Sequence, residues 1–504
     1  MSVLQGGGPE LCSGSVFAEG LVHLMSESHL PMEFPFDNKR RHYCAAHGAM
    51  GGLCDVHDSD PLPPPKPAPV ALQAALAHVP IVVTAGARHQ YLYHTLTTLL
   101  AAPGALHHNI LVVLGDAPPS TTSLLHLLNL NFTSVAVSGR DNDKLFRYYR
   151  AVFRLLERSF PDAPAAILLD EDVEVSPDFF SFFSQTLWLL HADPSLYCIN
   201  AYSHLLTLER GRGEQFVRRG AVQVSWGYAV TLHFVREAVR RWPRTAQGED
   251  ILNYDYWLYN TVRGKRECIF PEVSRLRHYG VGTNTSPFPH EYEAWQRPLL
   301  HASHVPLLNT PLVLQTPHET HFLSDLKAAL PVSAGAPCND NFPLVASTSR
   351  HSLVAYFVQE QEEDDDITSW YELAQCTGLH AASNQGHHAG VHLAFYPRQP
   401  LPRPPPQHPL NIYGFNYYIP GHFEVGEANF TRVYLMGVPY SRYSSLRPDA
   451  AELFDVRQLS RNRTAALHSK YTDSYSILLY NTTTHNYHTL IKQLFTPSRH
   501  QPLR

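Results

Sequence analysis
At 504 residues the chain is too long for one hydrophobic core, and two or three packed units are expected. Its 44% apolar and 17% charged residues, with a formal charge of −6, are those of an ordinary globular protein. Lys and Arg number 39 against 45 acids and form no basic run, which argues against a nucleic-acid partner. The seven cysteines, Cys12, Cys44, Cys54, Cys198, Cys268, Cys338 and Cys376, include no CxxC pair, so neither a zinc site nor a dithiol redox motif is indicated. Five glycosylation sequons, at Asn131, Asn284, Asn429, Asn462 and Asn481, join the separated cysteines in favouring a secretory compartment with disulfides.

No signal peptide is visible at the start, which lacks a basic end and an apolar core. The low-charge run 67–87 approaches the length of a membrane span, but its prolines, Gln73 and His78 argue against one. The expectation is that the beginning of the protein is missing or that the protein is cytosolic.

Residues 1–60 read as an irregular segment with Cys44 and Cys54 flanking a Gly-rich loop, and 61–78 as a stiff Pro-rich linker. From Val79 short apolar runs alternate with amphipathic helices, the texture of an α/β domain with a mostly parallel sheet, extending to about 305. "PIVVTA" reads as the first strand, followed by Gly86, Arg88 and a helix with Leu92, Leu96, Leu99 and Leu100 on one face. "NILVVLGDAPP" is a second strand ending at Gly115 and Asp116, and "TSVAVSG" a third. A helix from about 143 to 160 places Leu145, Phe146, Tyr149, Val152, Phe153 and Leu156 at helical spacing. "AAILL" is the fourth strand; Ser176, Pro177 and Asp178 look like a helix start, and "LYCINAY" returns as a strand. The order describes half of a doubly wound nucleotide-binding sheet, with its ligand at the strands' carboxyl ends. Residues 306–400 read as a smaller mixed α/β region, and 401–504 as a Pro-rich loop and a low-signal tail.

Behind the fourth strand, "ILLDEDVEVSPDFF" packs five carboxylates into positions 170–178. Alternation along a strand would point Asp170 and Asp172 to one side and Glu171 to the other. Such a pair of buried carboxylates repels unless a hard divalent cation, Mg²⁺ or Mn²⁺, completes the site with phosphate and water oxygens. The competing reading is a solvated strand end with helix-capping acids, to which Glu174 and Asp178 are assigned. A Gly/Arg loop after strand one, an acid after strand two and Asp-Glu-Asp after strand four fit a nucleotide-sugar site. Neither GxxxxGK[ST] nor GxGxxG is present.

The block "LLDEDVEVSPDFFSFFSQTLWLLHADPSLYCINAY" resembles the metal-site block of glycosyltransferase family 13, the inverting β-1,2-N-acetylglucosaminyltransferases of GT-A fold. "RECIFPEVSRLRHYGVG" resembles the family's second block and "LNYDYWLYN" its catalytic-base segment. "VTAGARHQYLYHTL", "YCAAHGAMGGLC", "PCNDNF", "EEDDDITSWYELAQC" and "VYLMGVPYSRY" are closest to the branch that acts on protein O-linked mannose. The resemblance covers roughly residues 40–445.

It implies a GT-A nucleotide-sugar-binding domain with Asp172 as the Mn²⁺ ligand. Asp170 and Glu171 would contact the nucleotide sugar, Arg88 the diphosphate and Asp116 the uracil, although Gly and Asp are transposed at the last position. Asp255 would be the catalytic base, and Cys198–Cys268 a disulfide. Cys44–Cys54 and Cys338–Cys376 would then pair, leaving Cys12 odd; spacing alone leaves the pairing open. The donor would be UDP-GlcNAc and the acceptor the 2-hydroxyl of a mannose-terminated glycan on a glycoprotein. The setting would be the Golgi lumen, in a protein held by a membrane anchor that this chain does not display.

With the diphosphate neutralised by the cation, Asp255 would take the proton from the attacking hydroxyl in a single inverting displacement. The loop 278–288 is a candidate to close over the donor. Three places depart from the family pattern: Tyr148 replaces a histidine, Asn253 an acid, and "NAYSH" (200–204), with Ser203, stands for the family's "SAWND", losing an acid near the acceptor pocket. Two readings follow, an active transferase whose acceptor differs, or a noncatalytic glycan-binding relative.

Overall fold
The structure is a computed structural model. It describes residues 38–47, 51–54, 66–203, 213–243, 254–278, 299–332, 345–346, 348–359, 373, 386–397 and 430–455. The chain divides into two compact units, 1–61 and 62–504.

In the first unit, Asn38–His47 is a helix and Gly51–Cys54 a turn of 3₁₀ helix. The Cys44–Cys54 disulfide closes the loop between them, and Arg40 donates from Nε to the Leu53 carbonyl at 2.6 Å. This part of the segment expected to be irregular is therefore ordered. The apolar side chains of Tyr43 and Leu53 are buried, which the Gly-rich texture of the loop concealed.

The second unit is built on an eight-stranded sheet: β1 Ile81–Ala85, β2 Ile110–Gly115, β3 Phe132–Val135, β4 Ala165–Asp170, β6 Leu196–Asn200, β7 Val217–Gly220, β8 Gly227–Thr231 and β9 Glu267–Pro271. Its order is β3-β2-β1-β4-β8-β6-β9-β7. Only β7 and β8 run against the others, so the sheet is mostly parallel, as expected. The third strand is shorter than "TSVAVSG" and begins earlier, at Phe132. A two-stranded ribbon pairs β5 Val173–Val175 with β10 Leu276–His278.

The runs of β1 and β4 are buried on successive residues, and so on both faces, which is why they read as unbroken apolar segments. The helix Asp141–Ser159 buries Phe146, Tyr149, Val152, Phe153 and Leu156 in one cluster with Trp242 and Trp257. Each such side chain contributes roughly 1.5–3 kcal/mol of transfer free energy.

Within the expected linker 61–78, Val70–Leu76 is a helix with Leu72 and Leu76 buried. Asn109 Nδ2 donates to the Leu76 carbonyl at 2.8 Å, and a Cβ at Gly104 would meet Leu72 Cδ2 at 2.1 Å. Two leucines four residues apart on one helical face are enough to dock what the neighbouring prolines make look like a spacer.

A second sheet has the order β11 Leu330–Pro331, β12 Leu353–Val358, β14 Phe430–Val438, β13 Val391–Pro397, with β15 Leu453–Phe454 also on β12. The expected low-signal tail thus supplies β14, which lies between β12 and β13. Its "VYLMGV" run is apolar because it is covered on both faces, and its partners are distant in sequence. Cys338, Cys376 and residues 456–504 lie outside the described residues. Among the described residues no helix is long and apolar enough to cross a membrane.

Candidate active site
The parallel register sets Thr84 beside Asp170, and Ala85 beside Leu114, so the loops after β1, β2 and β4 leave the sheet along one edge. β4 ends at Asp170, and this breaks the expected alternation of the acids. Asp170 faces the sheet, where its Oδ1 accepts from Thr84 Oγ1 at 3.0 Å and from the Tyr149 hydroxyl. Glu171 and Asp172 lie in the turn that follows, and both reach Arg88. Arg88 Nε is 2.7 Å from Glu171 Oε1, and Nη1 is 2.8 Å from Asp172 Oδ2. The Gly86 amide donates to Glu171 Oε2 at 2.7 Å, and Thr95 Oγ1 to the Glu171 carbonyl at 2.6 Å. The turn is thereby fixed to the loop after β1.

Pairing of β5 with β10 sets His278 opposite Val173 and brings its Nε2 to 3.3 Å from Asp172 Oδ2. The Trp226 ring stacks on His278, with centroids 4.4 Å apart at 6°.

These surroundings give the three acids different character. Burial and the neighbouring Asp172 charge push the Asp170 carboxyl up to about 7. Burial also raises Glu171, against the pull of Arg88. Burial alone would raise Asp172, but His278 and Arg88 hold it down at about 2. Asp172 is therefore the persistent anion of the group.

Among the described residues no three His, Cys, Asp or Glu side chains are arranged to hold a cation by themselves. A hard divalent ion fits here only with Asp172 as the protein donor and phosphate and water oxygens for the rest, a pattern common for Mg²⁺-like ions.

Asp255 lies on the short helix Tyr254–Trp257, partly buried, with its Oδ1 accepting from the Tyr256 amide at 2.9 Å. Tyr254 stacks on Tyr149, with centroids 3.4 Å apart at 11°, and Tyr149 in turn donates to Asp170. Rings thus connect the helix bearing Asp255 to the strand-end acids. Burial pushes the Asp255 carboxyl up to about 6.

Asp116, just past β2 with φ +45°, pairs instead with Lys144 at 2.6 Å. Glu174 and Asp178, expected as solvated or helix-capping acids, are instead ion-paired, and Asp178 is fully buried. Glu174 binds Arg277, while the Asp178 side chain caps nothing and bonds Arg275 Nε at 3.1 Å and the Val305 amide at 2.9 Å.

Two of the three departures from the family pattern are built into the scaffold. The Tyr148 hydroxyl donates to the Val113 carbonyl at 2.5 Å and accepts from the Ala85 amide at 3.0 Å, tying β1 to β2. Ser203 Oγ donates to the Glu272 carbonyl at 2.9 Å. Asn253 and residues 279–288 lie outside the described residues. Cys198 and Cys268, opposite each other on β6 and β9, form a disulfide.

The sequence reading missed His278, Trp226, Tyr149 and Thr84 as site residues. Only Tyr149 carried a signal, as a polar-tipped member of an apolar helical stripe.

Residues 60–292 match the family model described as the GNT-I family. This is glycosyltransferase family 13, which the sequence blocks resemble, and the match supports a glycosyltransferase. It spans a little under half of the chain and contains every site residue above.

Similar solved structures include a CMP:2-keto-3-deoxy-manno-octonic acid synthetase with CTP, at 12% identity, covering 43% of this chain and 96% of that one with a TM-score of 0.26. Glucosyl-3-phosphoglycerate synthase from Mycobacterium tuberculosis with Mn²⁺, UDP-glucose and phosphoglyceric acid is 13% identical, over 44% and 80%, with a TM-score of 0.26. Mannosyltransferase PcManGT from Pyrobaculum calidifontis with GDP-Man and Mn²⁺ is 14% identical, over 35% and 47%, with a TM-score of 0.22. Likenesses this slight carry no functional argument.

Proposed function
We propose that the protein is an inverting glycosyltransferase that moves GlcNAc from UDP-GlcNAc to the 2-hydroxyl of a terminal mannose on an O-mannosyl glycoprotein. The observation that carries this reading is Arg88 held between Glu171 and Asp172 at the carboxyl ends of parallel strands, inside the segment that matches the family.

Arg88 is more than a quarter exposed at its side chain and offers the planar fork suited to a diphosphate. Asp172 holds Mn²⁺ in this reading, and the bound ion supplies the charge neutralisation that makes a nucleoside diphosphate a competent leaving group. Asp170 and Glu171 orient the nucleotide sugar, and Asp116 is the candidate for the base once it exchanges Lys144 for the ligand. Asp255 accepts the proton of the attacking hydroxyl. A carboxyl near 6 is ionised at neutral pH yet more basic than an ordinary aspartate, which suits a general base. One displacement inverts the anomeric centre and needs no enzyme nucleophile. The sequons and the disulfides Cys44–Cys54 and Cys198–Cys268 suit an oxidising lumen, proposed to be that of the Golgi, with a membrane anchor as in the family.

The test is calorimetric titration of UDP-GlcNAc with and without Mn²⁺, on the wild type and Asp172→Ala. Binding that needs the metal and disappears in the variant is expected, followed by UDP release when an alkyl α-mannoside is added. No binding to the wild type would sink the transferase reading. Binding without UDP release across a panel of mannosides would instead identify a noncatalytic glycan-binding relative.

A further inference from the structure
Trp226 occupies a backbone conformation that bulky residues avoid. Its φ is +41°, and the Gly227 amide donates to the Ser225 carbonyl across it, closing a three-residue turn. The turn is pinned from several sides. The Trp226 carbonyl accepts from the Asp170 amide at 2.8 Å, and the Gly227 carbonyl from the Ala201 amide at 2.8 Å. A Cβ at Gly227 would meet Leu276 Cδ2 at 2.2 Å, so the chain is pressed flat between β4 and β10. A strained turn held this firmly aims one side chain, and outliers of this kind gather at ligand sites.

Trp226, whose indole it aims, is partly exposed, although its ring partners are not. It stacks parallel on the buried His278 ring, and Tyr202, also buried, meets it at 4.5 Å and 90°. Two buried rings therefore set the plane of the ring of a residue that remains partly exposed. Through His278 it stands one side chain from Asp172, and through its own carbonyl it touches the backbone of Asp170. A pyranose presents hydroxyls at its rim and a face of C–H groups, complementary to acids beside an aromatic surface whose π face is negative.

We propose that Trp226 is a sugar-positioning residue, the aromatic wall against which the hexopyranose of the donor or the acceptor lays its C–H face at the acidic cluster. This rests on the nucleotide-sugar reading above. The wall orients the ring, and the carboxylates engage its hydroxyls.

The test compares ligands that share a nucleotide and differ in a sugar. UDP, UDP-GlcNAc and, on UDP- and Mn²⁺-saturated protein, methyl α-mannoside are titrated calorimetrically into wild type, Trp226→Ala and Trp226→Phe. UDP affinity is expected to stay within about twofold in all three, which also shows that the variants fold. Trp226→Ala is expected to weaken UDP-GlcNAc, or methyl α-mannoside, roughly fivefold, the size of one lost aromatic contact, and Trp226→Phe to recover most of it. Which ligand weakens assigns the wall to the donor or the acceptor. Unchanged affinity for both sugar ligands, or an equal loss for UDP without rescue by Phe, would overturn the role of Trp226 alone. Failure of the wild type to bind UDP would remove the nucleotide-sugar reading and this inference with it.

Discussion

Asp170, Glu171 and Asp172 are adjacent in sequence but differ in what offsets their charge. Among the described residues Asp170 has neutral hydroxyl donors, Glu171 a guanidinium and a backbone amide, and Asp172 a guanidinium and an imidazole. Arg88 is the shared counter-ion, and its two nitrogens serve two different carboxylates. Arg88→Lys keeps the charge but cannot make both contacts, so UDP affinity is expected to fall roughly tenfold by calorimetry. An unchanged affinity would show that Arg88 is only a brace for the turn. Asp255 calls for a different measurement, since its role is in turnover. Asp255→Asn is expected to lower kcat by about 10²–10⁴-fold while UDP-GlcNAc binding is kept. The sign of the pH effect follows from the raised carboxyl: protonation as pH falls through about 6 removes the base. Turnover should therefore drop roughly tenfold between pH 7 and pH 5. A flat profile over that window would exclude Asp255 as the base.

At the scale of elements, a buried charge network links the two sheets of the second unit. Arg219 on β7 reaches Glu267 on β9 and Asp193 after the helix Phe179–Ala192, both at 2.6 Å. Glu267 Oε1 is 2.7 Å from His388 Nδ1, just before β13. His388 Nε2 faces Glu319, on the helix Gln315–Ala328, at 3.4 Å and the Tyr443 hydroxyl at 3.1 Å. Arg442 also binds Glu319, and the His318 ring packs edge-on against His388. Burial disfavours an imidazolium, but Glu267 and Glu319 raise His388 to about 9. A histidine raised in the fold adds stability that is full below its ordinary value near 6.5 and is lost as pH rises through about 9. The loss is on the order of 3 kcal/mol. The midpoint of urea unfolding should thus decline between pH 7 and pH 10, and His388→Gln should be weaker at pH 7 and much flatter with pH. Parallel profiles for the two proteins would show that the network is not held by His388.

None of this joint was legible in the sequence, because its members are scattered from 193 to 443 and no periodicity links them. The strands β1, β2 and β4 were legible because burial on both faces leaves continuous apolar runs. The turn after Asp170 was misread because the end of a strand depends on its neighbours, so Glu171 and Asp172 meet one arginine instead of opposite faces. His278 was invisible for a related reason, since only the pairing of β10 with β5 brings it to Asp172.

For the whole molecule the question is what keeps the segment carrying Trp226 and Asp255 on the sheet that carries the acids. The Cys198–Cys268 bond spans 70 residues and encloses β7, β8 and the Asp255 helix, so both ends of the segment are tied on the adjacent strands β6 and β9, next to the β7 edge of the sheet. Closing a loop of that length removes unfolded-state entropy worth about 4 kcal/mol. Both cysteines are fully buried, so Cys198→Ala with Cys268→Ala leaves no unpaired thiol and only a small void. The urea midpoint of that double variant is expected to fall by an amount corresponding to roughly 3–4 kcal/mol. UDP affinity should change little, because Arg88, Glu171 and Asp172 lie outside the enclosed loop. Turnover should suffer more than binding, because Asp255 lies inside it. An unchanged midpoint would show that the sheet holds the loop without the bond, and a loss confined to UDP binding would contradict this division of labour between the two halves of the site.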